Sequence, residues 1–216
     1  MFDYQSAFGA FPLLLQAAQM TIYVSAVGLL VGFIIAIGVA SACMSSAASL
    51  RHLGNFYVFF FRGVPLIVQL MLAYYFLPFI GVNVAPIVAA IIAISLCEGA
   101  YLGEILRGGF MGIPRGQMEA TQLLGFSRFS TLTRVQVPQA LKLTTPSLIN
   151  EMILLVKASS LISVVGVAEI TRTAQNIVAT TFTPLEIYLA AGFVYLIING
   201  LLSIAGYFAE RRFGRS

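Results

Sequence analysis

The chain has 216 residues, of which 59% are hydrophobic and 9% charged, with a net charge of +4. Soluble domains carry about 25% charged residues, so there is too little polar surface here to cover a globule in water. A mean hydropathy of +0.95 makes the bilayer the natural solvent and leaves no basis for a nucleic-acid-binding reading of the positive charge.

A membrane-crossing helix needs roughly 20 apolar residues. Lipid offers backbone groups no partner, so long apolar runs must be helices. Five runs qualify, at about 19–44, 64–80, 86–106, 148–167 and 185–208. They predict an all-α membrane protein with five transmembrane helices. The opening "MFDYQSAFGAFP" has Asp3 and no basic residue, so it lacks the positive region of a cleaved signal and the first run stays as a span. Gly28 and Gly32, like Gly99 and Gly103, form pairs of small residues four apart that let helices approach closely within the chain. Cys43 and Cys97 fall in apolar runs at different depths and read as small core residues rather than a disulfide. His52 stands beside Arg51 at a span end with no ligand cluster, so no metal site is expected. No linker, low-complexity tract or repeat divides residues 1–216, which are expected to form one domain.

Basic loop residues set orientation. Arg51 and Arg62 follow the first span, Arg107, Arg115, Arg128, Arg134 and Lys142 lie between the third and fourth, and Arg211, Arg212 and Arg215 follow the fifth. The opposite side carries Arg172 alone. The N-terminus is therefore expected outside and the C-terminus inside, with residues about 108–142 as a cytoplasmic loop. The outer loops are "GVNVAP" and about 168–184.

That cytoplasmic loop contains "EATQLLGFSRF" (119–129). Pro114 suits a helix start, Gly125 suits the left-handed position past a helix end, and Ser127 suits the cap of a second stretch that Pro138 is expected to end. The result is a helix–glycine–helix elbow. Met118, Leu123 and Leu124 have no evident partner in the chain. A short helix offering apolar residues in a polar setting fits either a groove in another protein or the lipid interface.

"EATQLLG", with "VPQA" beginning twelve residues after Gly125, resembles the EAA loop of permease subunits of ABC-type importers. "FFRGVPLIVQL" (59–69), "GAYLGEILRGG" (99–109), "PSLINEMILLVKASSLISVVGVAEITR" (146–172) and the final "AERRF" are similar to the polar amino acid permeases, the subfamily of histidine, glutamine and arginine permeases. The likeness covers most of residues 10–213. It departs at Thr121, where the family usually has a second alanine, and at Ala158, where an aspartate usually follows Lys157.

The resemblance implies a type I ABC importer fold in a bacterial inner membrane. It implies a coupling helix in which Met118, Glu119, Ala120, Leu123, Leu124 and Gly125 meet an ATPase dimer. It further implies a second permease subunit, identical or paired, and an extracytoplasmic amino acid-binding protein docking near Glu169, Arg172 and Asn176, which are expected to be exposed. No phosphate-binding G-x-x-x-x-G-K-[ST] loop is present, so ATP is expected to serve a partner subunit, and this chain is expected to have no cofactor and no enzymatic role.

Ionisable residues inside spans are costly and point to function. Glu98 and Glu104 lie on the third span, Glu151 and Lys157 on the fourth. At 1.5 Å per residue, Glu98 lies about 18 Å from the outer end, and Lys157 is expected at similar depth. Two readings stand. One is structural, with Glu98 pairing Lys157 in place of the acid missing at Ala158, and Glu104 pairing Arg107 three residues on. The other is a cavity for a zwitterion, lined by Glu98, Tyr101, Glu104, Asn150, Glu151, Lys157 and Ser160. An extra midplane acid is suited to a basic cargo. The alternative class is an ion-coupled secondary amino acid transporter. Such folds often have duplicated halves, and uptake driven by a proton gradient without ATP would identify one.

Overall fold

The computed structural model describes residues 3–214, all of whose regular structure is helical. In chain order the helices are α1 (Tyr4–Cys43), α2 (Ala48–Gly63), α3 (Leu66–Phe79), α4 (Pro86–Met111), α5 (Arg115–Leu123), α6 (Arg128–Thr131), α7 (Val137–Ala158), α8 (Ile170–Thr181) and α9 (Pro184–Gly214). A π turn, Leu132–Gln136, joins α6 to α7, and a 3₁₀ turn, Ser159–Val165, follows α7. Among the described residues four runs are long and apolar enough to cross a membrane: Tyr4–Cys43, Pro86–Met111, Arg128–Val165 and Pro184–Arg212. The pair α2 and α3, bent by 102°, makes a candidate fifth.

The first helix starts at Tyr4, well before the expected residue 19. Asp3 caps it by accepting from the Gln5 and Ser6 backbone N–H groups. The added turns are held by packing: Ala10, Leu14, Ala17 and Ala18 are buried against Ile170 and Ala174 of α8 and Ile187 and Ala190 of α9. That tertiary burial carries the helix through Pro12, which lacks an N–H to donate.

Pro138 also fails to stop a helix. The backbone from Arg128 runs on to Val165. Proline removes a donor and crowds the carbonyl four residues earlier. Here the turn just before it opens into the π form, which shifts that carbonyl out of the way.

The expected second span is instead two helices. Pro65 forces Val64 into extended backbone (φ −96°, ψ 132°) and then starts α3. Gln69 Nε2 donates to the carbonyls of Phe61 and Val64, both at 2.8 Å, and so satisfies backbone that the bend frees. Fourteen residues of α3 reach only about 21 Å, short of a hydrocarbon core of ~30 Å, so α3 alone does not have the length to cross it.

The seam of the fold is α1 against α4, and all four expected glycines lie in it. A methyl built on Gly28 would sit 2.5 Å from Ile94 Cγ2, and one on Gly32 2.7 Å from Glu98 Cβ. On the other helix, Gly99 faces Ile35 at 2.5 Å and Gly103 faces Val39 at 3.0 Å. Lipid gives no hydrophobic push between helices, so close backbone approach is what binds them. Large apolar side chains on the outside, such as Leu30, Ile34 and Leu196, fit contact with lipid rather than water. Cys43 and Cys97 are buried and unpaired.

Candidate functional site: an intramembrane charge cluster and an exposed elbow

The elbow forms as the sequence predicts. Arg115–Leu123 is helical, with Pro114 immediately before it. Gly125 adopts φ +73°, and Ser127 Oγ accepts from the Ser130 N–H at 3.2 Å. Glu119 and Ala120 are exposed. Leu123 and Leu124 are 90% and 73% exposed. Met118 differs from expectation, because it has a partner inside the chain: Gln136 Nε2 donates to its sulfur at 3.2 Å. The two line a cavity of about 460 Å³ with Thr121, Phe126 and Leu132. Thr121 is buried and donates to the Met118 carbonyl at 2.8 Å. A small residue is needed there because the elbow folds back on the π turn.

Inside the bundle the charges meet differently from expectation. Glu104 and Arg107 do pair, through two bonds of 2.7 and 2.9 Å. Glu98 and Lys157 do not: no ion pair joins them among the described residues. Glu98 is buried, and its Oε2 has no hydrogen-bond partner. Lys157 is exposed. The reason is register. Gly109 of α4 packs against Ala140 and Thr144 of α7, and in this antiparallel register Glu151 is the residue within electrostatic range of Glu98. Lys157 lies six residues beyond Glu151 (157 − 151), about 9 Å further along the axis. It also shares an exposed face with Asn150 and Leu154. The depth estimate failed because α7 begins well before residue 148. Ser160 spends its hydroxyl on the Lys157 carbonyl at 2.8 Å.

Two residues of the cluster were not assigned to it from the sequence. Arg62, counted there among the loop cations, is in the last turn of α2. Its guanidinium lies over the Tyr101 ring, 5.2 Å from the centroid, and 3.7 Å from Glu104 Oε2. Tyr57 of α2 donates to the Leu96 carbonyl at 2.6 Å and fixes α2 across α4. Both residues lie on α2 against α4, and the sequence signal for the bend that follows them was Pro65 followed four residues on by Gln69. Arg62, Tyr101, Glu104, Glu98 and Glu151 thus form one strip from α2 across α4 to α7.

At the other end of the bundle Glu169 is fully buried rather than exposed. It caps α8, accepting from the Thr171 and Arg172 N–H groups at 2.9 and 2.7 Å and from Tyr195 Oη at 2.8 Å. Burial pushes its carboxyl above the usual range, and these donors oppose the shift. It is therefore unavailable to a docking partner. Arg172 is half-buried and Asn176 exposed. Arg215, counted among the basic residues after the last span, lies outside the described residues.

A polytopic helical bundle with an intramembrane charge strip and an apolar elbow outside the spans defines a membrane permease built to work with a partner. Residues 28–215 match the family of binding-protein-dependent transport system inner membrane components, and the chain belongs to that family. Similar proteins include the glutamine transport system permease protein GlnP of Escherichia coli strain K12, 38% identical over 98% of this chain and 97% of that protein. The L-cystine transport system permease protein TcyB of Bacillus subtilis strain 168 is 40% identical over 94% of this chain and 88% of that one. A chain of the crystal structure of an amino acid ABC transporter with histidines is 31% identical and superposes with a TM-score of 0.92, over 98% of this chain and 99% of that chain. The inward-facing MetNI methionine ABC transporter, at 20% identity, a TM-score of 0.82 and coverage of 96% and 99%, shares the fold. The chain is a multi-pass component of the bacterial inner membrane, and ATP hydrolysis belongs to a separate subunit.

Proposed function

We propose that the chain carries a polar amino acid into the cytoplasm as the permease subunit of an ABC importer, working by alternating access. It crosses the membrane five times, with α2 and α3 together as the second crossing, N-terminus outside and elbow inside. The path follows the α4–α7 strip of Glu98, Tyr101, Glu104 and Glu151 and the exposed α7 face of Asn150 and Lys157, with Ser160 at its outer end. A second permease subunit, identical or paired, completes it. The loaded binding protein rests on the outer surface near Asn176 and the exposed part of Arg172. Lipid surrounds the rest.

The observation that carries this reading is the elbow. Leu123 and Leu124 stand in the open beside Glu119 and Ala120, at the end of a short helix that Gly125 turns back toward Ser127. Apolar side chains displayed on a short rigid helix fit a groove in a partner protein, here the ATPase. Movement of that helix tilts the α6–π–α7 rod, which carries Glu151 and Lys157 into the path, because the rod is continuous from Arg128 to Val165. The test is copurification with the ATPase, then ATPase assay with loaded binding protein. Glu119→Lys and Gly125→Pro are expected to lose assembly or stimulation while the chain still inserts. Unchanged coupling in both would leave the elbow a lipid-resting segment.

A further inference from the structure

The strip has a surplus of acid. Glu98, Glu104 and Glu151 face inward, and the cation expected to balance them, Lys157, is on the exposed face about two turns away. Arg107 is consumed by Glu104 through two short bonds. That leaves Arg62.

We propose that Arg62, at the α2–α3 bend, is the cation that receives the carboxylate of the transported amino acid. The inference rests on the reading of the chain as an amino acid permease. Three observations carry it. First, Arg62 is only loosely engaged, in a long ion pair with Glu104 and over the Tyr101 ring. Glu104 Oε2 is 3.7 Å away, beyond hydrogen-bond range, and no acceptor takes any of its guanidinium donors among the described residues. Its side chain is 44% exposed, so a ligand can reach it. Second, its fork is held in place from behind. Tyr101 supports the guanidinium plane, and Gln69 fixes the bend that carries it. A planar fork held this way presents two parallel N–H groups, the geometry that matches a carboxylate. Third, the opposite charge is at the right distance. Arg62 lies against Tyr101 and Glu104, which follow Glu98 on α4 by three and six residues, about 4.5 and 9 Å along its axis, and it lies within electrostatic range of Glu151. An α-amino acid with one hydrogen bond at each charged end bridges roughly 6–8 Å. Its ammonium would then meet Glu151, with the unpartnered Glu98 behind it. Lys157, one and a half turns further out, is left to the outer part of the path.

The assay is equilibrium binding to the assembled transporter in lipid nanodiscs without binding protein, using labelled L-glutamine and L-arginine. Each is competed by the amine that lacks the α-carboxyl group, 4-aminobutanamide or agmatine. The wild type is expected to prefer the amino acid to its amine by roughly tenfold or more, the worth of a charge-assisted fork. Arg62→Gln, which keeps a neutral hydrogen-bonding amide but loses the charge and the outer fork, is expected to bind both about equally. Arg62→Lys should be intermediate. A merely structural Arg62 would lower both ligands together and leave their ratio intact. An assembled Arg62→Gln complex that keeps the wild-type ratio overturns the assignment. If the ratio in Arg62→Gln is unchanged while wild-type uptake is normal, the assignment falls and the permease reading stands. If the wild type neither binds nor imports any amino acid, the reading falls and the assignment with it.

Discussion

The α1–α4 seam and the α2–α4–α7 strip share one helix and treat it in opposite ways. On one face of α4, Gly99 and Gly103 meet Ile35 and Val39 at contact distance, and Gly28 and Gly32 return the favour from α1. That face has no freedom left. Beside it Arg62 stands off Glu104 by 3.7 Å, and Glu98, whose Cβ lies against Gly32 in the seam, keeps an oxygen without a partner. Close packing has no spare states, because shifting it breaks many contacts at once. A buried polar group without a partner is costly at rest, which is the state of the Glu98 oxygen in the strip. A transporter needs both: a rigid spine to transmit tilt and an unsatisfied path to attract cargo.

Substitutions can break or sharpen that contrast. The largest loss of stability is expected in the seam. Gly32→Val would drive branched carbons into Glu98 and the Ser95 carbonyl, costing about 3 kcal/mol, read as a fall in the thermal midpoint of the purified complex. Next is Glu169→Ala, which strips the α8 cap and leaves Tyr195 Oη with Thr171 Oγ1 alone, for about 2 kcal/mol. Glu169→Gln, which keeps an acceptor oxygen, should lose less in the same melt.

In the strip the cost should be smaller. Arg107→Ala frees Glu104 and is expected to cost about 1 kcal/mol, because Arg62 can close on the vacated carboxylate. A double-mutant cycle with Arg62→Gln would expose this compensation as a strongly non-additive loss. Gly38 serves as the control on α1. Nothing lies within 4 Å of a methyl built there, so Gly38→Ala should stabilise by up to about 1 kcal/mol, opposite in sign to Gly32→Val. Leu123→Ser should leave the melt within about 0.5 kcal/mol and yet lower ATPase assembly in a pull-down.

What was legible in the sequence was local. Ser127 caps its own turn, Gly125 needs a left-handed backbone, and Glu104 reaches Arg107 because three residues along a helix puts them side by side. The glycine pairs were legible too, since spacing alone puts them on one face. The errors came wherever a neighbour decided. The first helix was expected from about residue 19 and Pro138 looked like an end, and tertiary packing and a π turn extended the helices past both limits. Glu169 looked like a surface acid, and its cap and Tyr195 hold it inside. The coupling role of the elbow was read from the likeness to ABC permeases, because apolar residues on a short helix fit lipid as well as protein.

By itself the sequence determined that this is a helical membrane protein, where its long apolar runs lie, and where the elbow turns. Hydropathy, caps and glycines act within a few residues of chain, so they can be read one after another. Only the tertiary structure decided which charges meet. Depth along a helix can be counted in residues, but the facing partner depends on where each helix begins, on its rotation, and on the antiparallel register between two of them. That register put Glu151 rather than Lys157 beside Glu98, and the packing of α2 on α4 set Arg62 against Tyr101 and Glu104.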